Sequence, residues 1–122
     1  MPLSIKIIHE VIDYINLNIF SIRNTQQLAD YFKVSYESLM LSFKIYTGIR
    51  LKTFLLSVRF KEITRKMLNN NNSRLSGSSI AFDLGLDSRT SVYYIIKRKT
   101  GLRFIDYQNY VRSLSQVTPK FS

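Results

Sequence analysis

Two stretches of the sequence repeat one another: residues 43–54 read FKIYTGIRLKTF, and residues 96–107 read IKRKTGLRFIDY. At an offset of 53, four positions are identical: Lys44/Lys97, Thr47/Thr100, Gly48/Gly101 and Arg50/Arg103. Upstream, at an offset of 52, similar residues pair: Leu28/Ile80, Ala29/Ala81, Phe32/Leu84 and Val34/Leu86. The one-residue change falls in an expected turn, where an insertion is easily absorbed. The chain is therefore predicted to use one supersecondary unit twice.

An amphipathic helix is predicted before the first copy of this unit. Isoleucines recur at steps of three and four residues, the spacing of one helix face, at Ile5, Ile8, Ile12, Ile15 and Ile19. The pattern stops near Phe20. We expect these isoleucines to face the core of the first unit.

Two short helices joined by a tight turn are predicted next. Asn24 or Thr25 is a candidate cap for the first helix, and Ser35 for the second. Gly48 is a candidate stop, because glycine tolerates the left-handed conformation that ends many helices. The predicted buried positions are Leu28, Ala29, Phe32, Leu39 and Phe43.

A long helix is predicted over residues 50–68, which contain neither glycine nor proline. Its apolar residues form two stripes, Leu51/Leu55/Val58 and Leu56/Phe60/Ile63/Met67, so we expect it to pack on more than one side. The predicted domains are a first helix-turn-helix subdomain (1–49), this linker helix (50–68), a polar loop (69–79), a second helix-turn-helix subdomain with a closing helix (80–115) and a tail (116–122). The predicted fold is all-α, with about seven helices.

The basic residues are concentrated in one part of the chain. The sequence has 18 Lys and Arg against 8 Asp and Glu, a net charge of +10, and residues 1–49 contain four of each sign. All the excess charge therefore lies in residues 50–122. Basic proteins bind nucleic acids by releasing counterions from phosphates, so a nucleic acid is the leading expected partner. A membrane is not expected, because the apolar stripes of the linker helix are assigned to the two subdomains.

Other classes of function lack their sequence signatures. There is no cysteine, and the sole histidine, His9, is interpreted as a solvated residue beside Glu10. Asp87 is interpreted as a helix cap rather than as half of an acid–base pair with Asp83. No phosphate loop, metal-ligand spacing or nucleophile–base pair is found, so neither an enzyme nor a cofactor is expected. Without a signal peptide or a long apolar run, the protein is expected to be cytoplasmic and nucleoid-associated.

The two units resemble the DNA-binding part of the bacterial AraC-type transcription regulators. The resemblance rests on residues 28–48 (LADYFKVSYESLMLSFKIYTG), Arg59 and residues 80–107 (IAFDLGLDSRTSVYYIIKRKTGLRFIDY). It implies two recognition helices, at about 35–47 and 88–100, inserted into adjacent major-groove segments. It further implies double-stranded DNA as the partner, a transcription regulator with activation as the expected sign, and a structural role for Arg59 in tying the lobes together. Many members carry a separate effector-binding domain, but none fits within 122 residues, so no small-molecule effector domain is expected.

Candidate DNA contacts lie on the recognition helices, whose first turns reach base edges in such proteins. In the first unit they are Ser35, Tyr36 and Ser38, and in the second they are Ser88, Arg89, Thr90, Ser91, Tyr93, Tyr94, Lys97 and Arg98. Lys97 and Arg98 form a basic cluster with Lys99 and Arg103, which we expect to contact phosphates.

The first recognition helix is unusually apolar, and Glu37 near its start opposes a phosphate-facing surface. Three interpretations remain open for Met40, Leu41 and Ile45: core packing, contact with thymine methyl groups, or a surface for a protein partner. The alternative function is accordingly an interaction protein with weak or non-specific DNA binding. Its partner would be RNA polymerase or a protein co-regulator.

Overall fold

The computed structural model describes residues 2–69 and 75–117, without the side chains of residues 115–117. These residues form seven α-helices and no strand, which confirms the predicted all-α class. The helices are α1 (Ile5–Asn18), α2 (Thr25–Phe32), α3 (Tyr36–Thr47), α4 (Leu51–Asn69), α5 (Gly77–Asp83), α6 (Arg89–Thr100) and α7 (Phe104–Val117). A short 3-10 turn, Ile19–Ser21, follows α1.

The chain divides into two compact units, Met1–Val58 and Arg59–Ser122. The division falls inside α4, so the first part of this helix belongs to the first unit and the remainder to the second. Leu51 and Leu55 are buried in the first part, and Ile63 and Met67 in the second. The two apolar stripes of the sequence thus supply core residues to different units.

The core of the first unit lies between α1, α2, α3 and the start of α4. Its fully buried residues include Ile8, Val11, Ile15, Leu28, Ala29, Leu39, Phe43 and Leu51. Ile5, expected on this face, is 55% exposed. Leu3 packs against the core instead, and its backbone N–H donates to the buried hydroxyl of Ser42 at 2.7 Å.

The predicted caps of the first unit form. The Asn24 side chain accepts a hydrogen bond from the N–H of Gln27 at 2.9 Å, and Ser35 accepts one from Ser38 at 3.1 Å. Between α2 and α3, Lys33 adopts the left-handed conformation (φ 56°). This conformation costs a non-glycine residue about 1–2 kcal/mol.

The second helix-turn-helix begins earlier in the chain than the sequence indicated. Helix α5 starts at Gly77, three residues before the predicted start, because the Ser76 hydroxyl caps the N–H of Ser79 at 3.0 Å. Helix α4 includes Asn69, so the predicted loop 69–79 is shortened at both ends, and residues 70–74 lie outside the described residues. Helix α7 extends the closing helix to Val117.

Gly77 is buried because an aromatic ring lies against it. A Cβ atom at this position would be 2.6 Å from Cε1 of Tyr93, closer than van der Waals contact allows. The equivalent residue of the first unit is Thr25, and the residue equivalent to Tyr93 is Met40. Glycine is therefore required at this helix start in only one of the two units.

The internal repeat is confirmed by hydrogen bonds at equivalent positions. Thr47 Oγ1 donates to the carbonyl of Phe43 at 2.7 Å, and Thr100 Oγ1 donates to that of Ile96 at 2.7 Å. The glycines that follow, Gly48 and Gly101, end α3 and α6 with φ of 76° and 77°. In both units a threonine–glycine pair thus ends the helix that was predicted to recognise DNA.

Asp87 is the residue inserted in the turn before α6. It provides a negative charge rather than the predicted cap of that helix. The N-cap of α6 is Ser88 and not Asp87. Asp87 instead interacts electrostatically with Arg59 of α4: burial lowers the pKa of Arg59, and Asp87 opposes that shift. Since a guanidinium stays protonated in proteins, its partial burial needs a nearby negative charge.

Side chains of α4 and α7 hold the second unit together. The hydroxyls of Thr64 and Tyr107 share a hydrogen bond of 2.7 Å, and the ring of Phe60 packs 5.3 Å from that of Tyr107. Gln108 is buried, and its Nε2 donates to the carbonyl of Leu75 at 2.7 Å. These contacts place α7 against the second part of α4.

Candidate nucleic-acid interface

Helix α6 presents a polar and basic face along its whole length. Its exposed residues recur at steps of four, as Arg89/Tyr93/Lys97 and Thr90/Tyr94/Arg98. The opposite side is buried in the second unit through Val92, Ile95 and Ile96. Three cations and no acid lie on the exposed face, so it is positive from end to end.

The first turn of α6 has polar groups available to a ligand. Ser88 is exposed, and its side chain makes no capping hydrogen bond. Arg89 and Thr90 are exposed, whereas Ser91 is half-buried. Helix N-terminal amides attract anions such as phosphates, so this end suits a DNA backbone.

Tyr93 and Tyr94 differ in their surroundings although both were candidate contacts. Tyr93 lies over Gly77, and its ring packs 5.2 Å from that of Phe104. Tyr94 is 60% exposed in the middle of the face. Tyr93 therefore has a packing role in this unit, while Tyr94 is the aromatic ring accessible to a ligand.

The basic cluster at the end of α6 is partly engaged within the protein. Lys97 Nζ donates to the carbonyl of Gly101 at 2.9 Å, where a cation also complements the helix dipole. Arg103 Nε donates to Asp106 at 2.9 Å, and this bond raises the pKa of Arg103. From the sequence, Arg103 was expected to contact phosphates, and its ion pair with Asp106 was not predicted. Arg98 is exposed on the same face as Arg89.

In the first unit, the predicted contact residues at the start of α3 serve the fold. Ser35 caps the helix with its hydroxyl. Tyr36 is half-buried, and its hydroxyl accepts a 3.4 Å hydrogen bond from Thr25. Ser38 is half-buried and contributes the capped N–H. The polar groups at this helix start are therefore less available than those of α6.

The apolar residues of α3 separate into two groups. Leu41 and Ile45 are 57% and 59% exposed, which excludes core packing as their main role. Met40 is half-buried and packs against the core. The α3 face, Tyr36/Met40/Lys44 and Glu37/Leu41/Ile45, matches the α6 face position by position, but it has one cation and one acid.

Each unit has an open cavity where the face helix meets the next helix. The first crevice, about 410 Å³, is lined by Met40, Leu41, Lys44, Arg50, Leu51 and Lys52. The second crevice, about 470 Å³, is lined by Tyr93, Lys97, Arg103, Phe104 and Ile105. Every residue of the second has its equivalent in the first at an offset of 53, so both belong to the repeated architecture.

Among the described residues, no three His, Cys, Asp or Glu side chains come together as metal ligands would. None of the described helices is long and apolar enough to cross a bilayer.

Solved AraC-type DNA-binding domains have the same fold as this chain. The DNA-binding domain of AdpA, a global transcriptional factor crystallised with a target DNA, matches with a TM-score of 0.73 and 19% identity, over 87% of this chain and 93% of that domain. An AraC-type regulator from Chromobacterium violaceum matches with a TM-score of 0.69 and 18% identity, over 92% and 94%. No family model and no curated protein sequence matches the chain. The fold implied by the sequence resemblance is thereby confirmed.

Proposed function

We propose that this chain is a bacterial DNA-binding transcription regulator, with activation as the expected sign, that acts in the cytoplasm on the nucleoid. Helices α3 and α6 are its recognition helices, and they enter adjacent major-groove segments. The observation that carries this proposal is the continuous exposed face of α6, with Arg89, Lys97 and Arg98 and no acid. The fold shared with the AdpA domain, which was crystallised with its target DNA, supports it. No catalysis and no cofactor form part of the proposal.

The residues of the α6 face have separate roles in this proposal. Arg89 reads a base edge, because a guanidinium forms two hydrogen bonds to guanine in the major groove. Ser88, Thr90 and Ser91 hydrogen-bond nearby phosphates or bases, and Tyr94 contacts thymine methyl groups. Lys97 and Arg98 bind phosphates, which fixes the register of the helix without reading sequence. Tyr93 supports this face from its position on Gly77.

The test separates base readout from phosphate binding. A preferred site is first selected from random duplexes with the full chain, and affinity is then titrated by fluorescence anisotropy at several salt concentrations. Arg89→Ala should relax preference at one base pair by about 1–3 kcal/mol. Arg98→Ala should weaken binding to every duplex and reduce the log–log salt slope by roughly 0.9.

Lys6→Ala is the matched control, since Lys6 is an exposed cation of α1 and belongs to neither recognition helix. A salt slope and a base preference that are both unchanged in Arg89→Ala and Arg98→Ala would refute the proposed interface.

A protein partner of the first unit is the second candidate function, with RNA polymerase and a co-regulator as the candidate classes. The exposure of Leu41 and Ile45 in the middle of α3 favours it, because such apolar residues contribute little to phosphate binding. On this alternative the first unit binds protein, and DNA binding by the chain is weak or non-specific.

A further inference from the structure

Equivalent positions of the repeat line the two crevices, but the polar groups at those positions differ. In the second crevice, both cations have partners: Lys97 donates to the Gly101 carbonyl and Arg103 to Asp106, each at 2.9 Å. The rings of Tyr93 and Phe104 pack against each other across its floor. In the second crevice, each of the two cations therefore makes a hydrogen bond within the protein.

The first crevice lacks these partners. Thr53 replaces the acid that Asp106 supplies in the second unit, so Arg50 has no equivalent neighbour. Within residues 2–69 and 75–117, no hydrogen bond or ion pair engages the side chains of Lys44, Arg50 or Lys52. Lys52 stands where the second crevice has Ile105, which adds a third cation. Three unsatisfied positive charges thus surround one cavity.

The floor between these cations is apolar. Met40, Leu41 and Leu51 line it, and none of the lining residues is acidic. Methionine is unbranched and polarizable, so Met40 can adapt to differently shaped side chains. An apolar floor with a cationic rim is complementary to a segment that carries apolar residues on one side and carboxylates beside them.

We propose that the first crevice binds an acidic, amphipathic segment of a partner protein. Apolar side chains of that segment fill the floor at Met40 and Leu41, above the buried Leu51, and its carboxylates pair with Lys44, Arg50 and Lys52. This is the helix-in-groove mode, read through anchors at i, i+3, i+4 and i+7. The inference rests on the second candidate function, the partner of the first unit, and defines where and by which chemistry that partner binds.

DNA fits the crevice less well than a protein segment does. Phosphates would satisfy the three cations, but a sugar–phosphate backbone has no side chain to insert into an apolar cavity of about 410 Å³. Burial of apolar surface is favourable, so an occupant whose side chains fill the floor gains binding free energy that a phosphate group does not.

The experiment uses the full chain and a displayed library of random peptides about 16 residues long, four to five helical turns. Selected peptides should be rich in Asp and Glu alternating with Leu or Phe at helical spacing. The crevice variant is Arg50→Glu with Lys52→Glu, and both residues are exposed at the start of α4, where acidic side chains suit the helix dipole. This variant should bind the leading peptide at least tenfold more weakly.

A matched variant, Lys6→Glu with Lys61→Glu, makes the same charge change at exposed residues that do not line the crevice and should lose less than threefold. A version of the peptide with Lys for Glu should prefer the crevice variant, which a merely misfolded protein would not do. Circular dichroism verifies the helix content of both variants.

Three outcomes would overturn the inference. Selected peptides that bind equally to wild type and crevice variant place the partner elsewhere, and the partner function then survives without this site. No enrichment of any peptide removes both the inference and the partner function, while DNA binding is tested separately. A crevice variant that loses only DNA affinity, with a smaller salt slope, makes Arg50 and Lys52 phosphate-binding residues.

Discussion

Helices α3 and α6 have the same length, the same threonine–glycine stop and the same place in their units, yet their exposed faces differ in kind. The α6 face has three cations and two tyrosines, whereas the α3 face has one cation, one acid and three large apolar residues. The buried sides are conservative by comparison, with Leu39/Val92 and Phe43/Ile96 in equivalent places. The repeated scaffold therefore keeps its core chemistry while its two exposed faces differ in charge and polarity.

The largest expected effect comes from placing the α3 face on α6. Arg89→Tyr, Thr90→Glu and Arg98→Ile together remove two cations and add one acid. Each phosphate contact contributes about fivefold to affinity near 0.15 M salt, so DNA binding should fall by about 100-fold. Fluorescence anisotropy on the selected duplex measures it.

The reciprocal change, Glu37→Thr with Ile45→Arg, provides the comparison and should strengthen binding by up to about tenfold. If the triple change in α6 leaves the affinity within twofold of wild type, the asymmetry between the faces has no bearing on DNA.

A smaller effect is expected where glycine is required in only one unit. Gly77→Ala places a methyl group against the Tyr93 ring, and overpacking should destabilise the second unit by about 1–2 kcal/mol. Hydrogen exchange of α5 and α6 amides measures this loss, with α1 to α3 as the internal reference. In a Tyr93→Met background, which copies the first unit, the same Gly77→Ala change should be neutral or stabilising by up to about 1 kcal/mol. Equal destabilisation in both backgrounds would show that the ring is not the cause.

Equal effects are expected at the two helix stops. Gly48 and Gly101 have φ of 76° and 77°, and nothing lies within 4 Å of a Cβ at either position. Alanine at each should cost about 1 kcal/mol from the left-handed backbone alone. Chemical denaturation followed by circular dichroism measures both, and a difference greater than about 0.5 kcal/mol would mean that the stops are not equivalent.

The smallest effect concerns the residue inserted in the second turn. Asp87→Asn removes the negative charge that offsets the cost of burying the Arg59 guanidinium, and because Asp87 is exposed the loss should stay below about 1 kcal/mol. Asp106→Asn, at an ion pair on the surface, is the control and should cost less. Hydrogen exchange in α6 measures the loss of stability in both variants. A greater loss in Asp106→Asn would mean that the surface ion pair contributes more to stability than Asp87 does.

Much of the fold was predictable because its determinants are local. The caps Asn24 and Ser35 and the stop Gly48 act within four residues, so their spacing alone located the helices. The start of α5 was missed although its cap, Ser76, acts locally on the N–H of Ser79; what the sequence does not show is that Gly77 lies against Tyr93, sixteen residues away. The packing of Leu3 was likewise missed, since Leu3 and Ser42 are distant in sequence and meet only in the folded unit.

The candidate site was predictable in its helix but not in its surroundings. Periodicity indicated which face of α6 is exposed, and therefore Arg89 and Arg98. It could not distinguish Arg103, paired with Asp106, from its equivalent Arg50, because both occur in the same Thr-Gly-X-Arg context. The crevices were also missed, since a cavity depends on how two helices approach each other rather than on spacing along either one.

The threonine–glycine stops also bear on how fast the protein folds. The hydrogen bonds of Thr47 and Thr100 join residues four positions apart, so forming them closes only a short loop of chain. Closure of such a loop costs little entropy and takes about 10–100 ns, whereas contacts distant in sequence form later. We expect the ends of α3 and α6 to be set before either core has assembled, so that each helix has its final length when it docks.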